Sequence, residues 1–165
     1  MAYVDPNALV SPDAELGEDV AIWAFTQVRE DVSIGAQTSI GTHTYVDAGV
    51  VIGSRCKIQS GCLLYRGVVL GDGVFVGPGV VTTNDLFPRA VNSDGSRKSE
   101  EDWELVHTKI GDGASIGARS VIVAGIEIGE RAFVAAGSVV TRDVPPGMMA
   151  IGVPAKIREM PRQFL

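Results

Sequence analysis

Histidine and cysteine are scarce in this 165-residue chain, with two of each. Two imidazoles are too few for a three-histidine zinc centre. Basic residues are also in deficit: 14 Lys and Arg stand against 20 Asp and Glu, a formal charge of −6, and no basic stripe interrupts that balance. Nucleic acid and anionic membrane are thereby excluded as general partners. Long apolar runs are missing too. No stretch approaches the roughly 20 residues of a membrane span, and the opening MAYVDPNALV has neither a cationic start nor an apolar run, so a cytoplasmic protein is expected. The composition that remains is 45% hydrophobic, enough for one continuous core and a single domain over 1–165.

That hydrophobicity is distributed with a six-residue beat. A branched apolar residue recurs at Val4, Val10, Leu16, Ile22, Val28, Ile34, Ile40, Val46, Ile52, Ile58, Leu64, Leu70 and Val76, lapses at Thr82, and resumes at Ile110, Ile116, Ile122, Ile128, Val134 and Val140. Four residues after each anchor comes a small or β-branched residue, among them Val20, Thr26, Val32, Thr38, Thr44, Val50, Cys56, Cys62 and Val68. Six is even, so both beats stay on one face of a strand, whereas on a helix they would drift around the surface. Glycines directly after many anchors, such as Gly17, Gly35, Gly53, Gly71 and Gly117, mark bends where a Cβ is unwelcome. The chain therefore turns every hexad and stacks on itself as an all-β solenoid. Cys56 and Cys62 occupy the small inward position, so packing explains them.

Two departures from the beat point to function. Residues 83–109 form a polar excursion carrying Asn84, Asp85, Arg89, Trp103 and His107, and long excursions from compact domains are commonly functional. On the outside of the strands, Leu63, Val69, Phe75, Val81, Val121, Phe133 and Val139 precede anchors in neighbouring repeats. Their recurrence calls for a cover, and a second subunit is the expected one.

The glycine-punctuated hexads and the closing segment AAGSVVTRDVPPGMMAIGVPAKI at 135–157 resemble the left-handed β-helix, hexapeptide-repeat acyltransferases. The resemblance implies three hexads per coil, hence about six coils, and a C-terminal extension at 145–165 expected to be helical. It also implies a homotrimer with active sites between subunits and acyl-coenzyme A lying along the coils, with no metal. Within that family IWAFTQVRE at 22–30, CKIQ at 56–59, LLYRGVVL at 63–70 and VFVGPGVVTTNDLFPRA at 74–90 are similar to the nucleotide-sugar 3-amino N-acetyltransferases. Those enzymes acetylate the 3-amino group of a UDP- or dTDP-linked amino sugar. The chain departs from them at Ala24, where His is expected, and at Arg66, where an acid is usual. It also lacks the His with which other relatives begin the loop.

The expected acceptor site follows from that similarity: Asn84 to orient the amine, with Arg29, Glu30, Gln59, Tyr65 and Arg89 around the sugar nucleotide. His107 and His43 are the available bases, His107 being closer to the loop root, and the thiolate leaving group can instead collect the proton. For acetyl-coenzyme A the resemblance implies Gly117, Ala118, Ala135 and Ala136 along the pantetheine arm and Arg142, Lys156 and Arg158 near the phosphates. Other readings are a relative with a different small acceptor and a non-catalytic β-solenoid binding module. A β-helical carbonic anhydrase would need a third histidine.

Overall fold

A computed structural model describes residues 1–161. Its strands are mostly two residues long, an outward residue followed by an inward anchor, as in Ala21–Ile22, Lys57–Ile58 and Phe133–Val134. Away from the inserted loop and the C-terminal hairpin, each strand pairs in parallel with the one 18 residues on, as Tyr3 with Ala21 and Lys57 with Phe75, so three hexads make one coil. Among the described residues the strands form sheets of nine, seven and six. The first sheet starts at Tyr3–Val4, the second at Leu9–Val10 and the third at Glu15–Leu16. These are the three faces of an all-β, parallel β-helix of the left-handed type. Six coils carry all three strands, and a seventh is completed by a bridge from Ile128 to Val144.

The core is one column of anchors and their small partners. Ile22, Ile40, Val46, Ile58, Leu64, Ile116, Ile122, Ile128, Val134 and Val140 are essentially inaccessible, as is Cys62, and the first-coil anchor Val4 is left 38% exposed at the open end. Threonines enter this interior without orphaning a polar group. Thr26, Thr38 and Thr44 donate their hydroxyls to the carbonyls of Gly41, Gly53 and Gln59 at 2.8–3.0 Å.

The post-anchor glycines are required by close approach and not by a left-handed backbone. A Cβ on Gly53 would lie 2.4 Å from the Gly71 carbonyl oxygen, and one on Gly117 2.4 Å from the Ala136 nitrogen. Positive φ falls two residues later, at the third corner position, as in Gly61 at 70° and His43 at 58°. One edge of the prism, between the third and first sheets, keeps glycine after every anchor from Gly17 to Gly129. The other two edges admit Trp23, Gln59, Arg29, Asp47 and Tyr65 at that position.

The polar excursion leaves from the edge between the second and third sheets. Val69 pairs with Lys109 although 40 residues separate them, so the loop is an insertion within one coil turn. Its strand resumes at Thr108, and the excursion therefore closes at His107 and not at Lys109. The C-terminal extension is not helical over its described part. Met148–Ile151 joins the first sheet in parallel beside Phe133–Val134, and Lys156–Glu159 folds back antiparallel on it. The open top of a solenoid presents unpaired strand groups and a bare core, which a strand satisfies and a helix does not. Ala150 closes the core there, and Gly152 and Pro154 make the turn. Residues 162–165 lie outside the described residues. Among the described residues no helix is long and apolar enough to cross a membrane.

Candidate active site

The residues expected to bind ligands divide between the two irregular edges. Gln59, Gly117, Ala118, Ala135 and Ala136 belong to corners between the first and second sheets; Arg29, Glu30, Tyr65, Asn84, His107 and Arg142 belong to the edge between the second and third. The second sheet separates the groups. Its outward face carries Leu63, Val81, Val121 and Val139 in direct ladder register.

At the loop edge the insertion is pinned at its root. The Val106 amide donates to the Asn84 carbonyl at 3.2 Å, which holds the residue before His107 against Asn84. Leu105 packs over Gly67, and Val106 stands 2.9 Å from where a Cβ of Gly125 would be. The return limb is thus held between corners of the coils below and above. The Asn84 carboxamide makes no hydrogen bond among the described residues, so its donor and acceptor are both open. It faces a groove of about 1000 Å³ lined by Asp85, Arg89, Lys98 and Trp103 among others. Neither Arg89 nor Arg97 takes part in the ion pairs of the described residues, so the groove offers two cations to an anion, while the charge of Lys98 is felt by Asp102.

Three coils below, Arg29 and Glu30 are engaged with each other. The guanidinium donates to both Glu30 oxygens at 2.7 and 2.5 Å and to the Tyr45 hydroxyl at 3.2 Å. These bonds to Glu30 and Tyr45 hold Arg29 above its ordinary pKa, and the Arg29 bond holds Glu30 below its own. Tyr45 in turn donates to Asp47 at 2.7 Å; burial first, and then that carboxylate, push its pKa up. Asp47 also accepts from the amides of Ala48 and Arg66. Tyr45 and Asp47 were not singled out by the hexad pattern. The signal was available as a spacing of 18: Arg29, Asp47 and Tyr65 occupy one corner position in successive coils.

On the small-residue edge the middle corner amides of Ser60, Ala118 and Ala136 donate to nothing among the described residues. Their counterparts at Ala48, Arg66 and Ala124 on the loop edge are capped by Asp47 and Thr83 side chains. Ala118 and Ala136 line a groove of about 710 Å³ with Ser60, Pro78, Gly79 and Arg119. A linear chain of amides could lie there against unpaired N–H groups. The Gly152–Ala155 turn covers the top, with the Ala155 amide bonded to the Val139 carbonyl. Lys156 follows that turn, Arg158 lies farther along the hairpin, and Arg142 is on the other edge of the same chain. His43 is also on the small-residue edge, its ring tilted against that of Phe25 at 5.0 Å, and it lies two coils below His107. No group of His, Cys, Asp or Glu among the described residues could hold a metal ion.

The bacterial transferase hexapeptide (six repeats) model matches residues 31–66, 49–84 and 107–142, more than half of the chain, leaving out the inserted loop. The chain belongs to this hexapeptide transferase family. A dTDP-3-amino-3,6-dideoxy-alpha-D-galactopyranose 3-N-acetyltransferase from Aneurinibacillus thermoaerophilus is 63% identical over 51 residues, which are 31% of this chain and 27% of that enzyme. A Bacillus cereus structure described as a candidate acetyltransferase is 28% identical, covers 94% of this chain and 80% of its own, and has a TM-score of 0.60. The acetyltransferase domain of PglB from Neisseria gonorrhoeae, solved with acetyl coenzyme A, shares the fold at 20% identity. Its match covers 94% of this chain and 56% of that one, with a TM-score of 0.54.

Proposed function

We propose that the chain is an acetyl-coenzyme A-dependent N-acetyltransferase acting on the 3-amino group of a UDP- or dTDP-linked amino sugar, as a homotrimer with its sites between subunits. The observation that carries this reading is the division of the site. One edge offers a groove with unpaired amides, the other an unbonded Asn84 carboxamide with Arg89 and Arg97, and the aliphatic face of the second sheet lies between them. Packing that face against a neighbour brings the loop edge of one copy toward the small-residue edge of the next. The similarity to a 3-N-acetyltransferase of a dTDP-amino sugar, and acetyl coenzyme A in a protein of the same fold, support the two substrates.

In this arrangement the pantetheine arm lies along Gly117, Ala118, Ala135 and Ala136, and an unpaired corner amide faces the thioester oxygen as it gains charge. Lys156 and Arg158 lie toward the coenzyme phosphates, with Arg142 from the adjoining edge. Arg89 meets the nucleotide pyrophosphate, and Gln59 and Tyr65 flank the sugar. The Arg29–Glu30 pair braces Tyr45 beside Tyr65. Asn84 holds the neutral amine in line with the carbonyl carbon. The C–N bond forms as the C–S bond breaks, and the proton shed by nitrogen is taken up by the departing thiolate, directly or through His107.

Single-turnover acetylation of a 3-amino sugar nucleotide across pH tests this. Asn84→Ala is expected to remove roughly 2–4 kcal/mol of transition-state stabilisation, with His107→Asn and His43→Asn losing far less. A loss of about 10²–10⁴ confined to one histidine variant, with an ionisation gone from the kcat profile, would make that imidazole the base and overturn the role of Asn84. Failure of wild-type protein to transfer acetyl to any amino sugar would overturn the function.

A further inference from the structure

Two aromatic residues on the small-residue edge are not explained by the fold. Phe25 occupies the third corner position with φ of 60° and is 60% exposed, where the other non-glycine residues with positive φ are all polar or charged. An apolar side chain is unfavourable in that backbone region, and it gains no burial here in compensation. Trp23, two residues before it, replaces the glycine of the regular corner and is 48% exposed. Both rings are held in place. Trp23 Nε1 donates to Ser39 Oγ at 3.3 Å and its ring meets Tyr3 at 5.5 Å, while Phe25 meets His43 at 5.0 Å with the rings tilted by 37°. Beside Trp23 and Ala24 a groove of about 340 Å³ runs up the edge past Thr42 and Gln59 to Ser60, which also lines the upper groove; Phe25 and His43 flank it through their chain neighbours Ala24 and Thr42.

We propose that Trp23, Phe25 and His43 form the platform for the pyrimidine base of the acceptor nucleotide. This rests on the acceptor being the UDP- or dTDP-linked sugar proposed above. Planar exposed rings suit a base, because every base has a π-face to stack. His43 adds a hydrogen-bonding edge. The Thr42 hydroxyl donates to the Ala24 carbonyl and so accepts from His43 Nδ1, 2.9 Å away; in the neutral ring this leaves Nε2 as an acceptor for the N3–H of uracil or thymine. The length also fits. Trp23 and Phe25 lie on the second coil, His43 on the third, and Asn84 leaves the fifth, so the separation along the prism is roughly 10–14 Å at the usual strand spacing, about the reach of an extended nucleoside diphosphate. The polar cluster on the loop edge is a poorer seat for the base, since Arg29, Glu30, Tyr45 and Asp47 already bond one another.

The test is calorimetric titration of UDP and dTDP into wild-type protein, Phe25→Asn and Trp23→Leu, with acetyl-coenzyme A titrated in parallel. Asn suits the left-handed corner, so the Phe25 variant should melt no lower than wild type. Each variant should bind the better nucleotide at least about fivefold more weakly, with acetyl-coenzyme A affinity kept and the KM for the sugar nucleotide raised. Unchanged nucleotide affinity in both variants would overturn the platform while leaving the proposed reaction standing. Wild-type protein that binds neither nucleotide would overturn both.

Discussion

Val134→Asp isolates the physics of the core with little change of shape. The site is fully buried, its ladder neighbours are Ile116 and Ala150, and Asp is no larger than Val, so overpacking does not enter. Neither neighbour offers a side-chain partner for a carboxylate. Keeping the buried acid neutral at pH 7 against an unfolded pKa near 3.9 costs about 4 kcal/mol. Loss of apolar transfer adds about 1.5 kcal/mol and a poorly bonded carboxyl about 1–3 kcal/mol, giving roughly 7 kcal/mol against a typical total of about 5–15. The sign with pH is fixed. Burial raises the folded pKa, so the native state retains a proton that the unfolded state releases, and stability falls by about 1.4 kcal/mol for each pH unit above roughly 4. Urea unfolding followed by circular dichroism between pH 4.5 and 7.5 reads this directly. Val134→Thr is the control, expected to cost only about 1–2 kcal/mol, because Thr82 already occupies an anchor position with its hydroxyl on the Leu63 carbonyl. A Val134→Asp protein with a wild-type urea midpoint at pH 7 and no added pH slope would refute the inward register.

Leu63→Glu and Val121→Glu, on the second sheet, should weaken assembly and reduce activity together, whereas a fully active wild-type monomer in light scattering would sink the shared site. Burial raises both thiol pKa values, and Cys56 and Cys62 donate to the Gly71 and Gly77 carbonyls, so both should resist thiol reagents until unfolding; rapid labelling of the native protein would contradict this. By the same sign rule, their contribution should favour the unfolded state as pH rises above about 8.5, a loss that Cys56→Ala with Cys62→Ala should remove. Gly53→Ala should destabilise by about 1–3 kcal/mol or more, as its Cβ would strike backbone of the next coil, and a neutral effect in urea titration would refute the close approach.

The period of six was enough to read the inward register, because parity assigns faces regardless of where the coils turn. Ile22, Leu64 and Val134 were legible for that reason. Parity does not say which edge a corner residue occupies, so it cannot separate Gln59 from Asn84, which lie on different edges of one chain. A period of 18 carries that information, since it aligns Trp23 with Gln59 and Arg29 with Tyr65. Side-chain pairing was less legible. Arg29 and Glu30 read as two free ligands, and only the folded corner shows them bonded to one another and to Tyr45. The helical expectation for the extension failed because local sequence does not register the demand of the solenoid's open end, where Met148–Ile151 finds ladder partners.

The distribution of glycine ties fold to function more closely than any single residue does. Stacked coils approach so closely that a post-anchor Cβ is tolerated only where the corner opens, and the edge from Gly17 to Gly129 never opens. The other edges give up that regularity at Trp23, Gln59, Arg29, Asp47 and Tyr65, which are the positions where grooves and polar clusters occur. Loss of tight stacking there costs stability, so a function that requires it is the economical explanation. A non-catalytic solenoid would need only one such edge to bind a partner. Two open edges flanking an aliphatic face instead suit the proposed ring of copies, in which each cleft would take one edge from either side and coenzyme and acceptor would meet near Ser60, which lines both grooves.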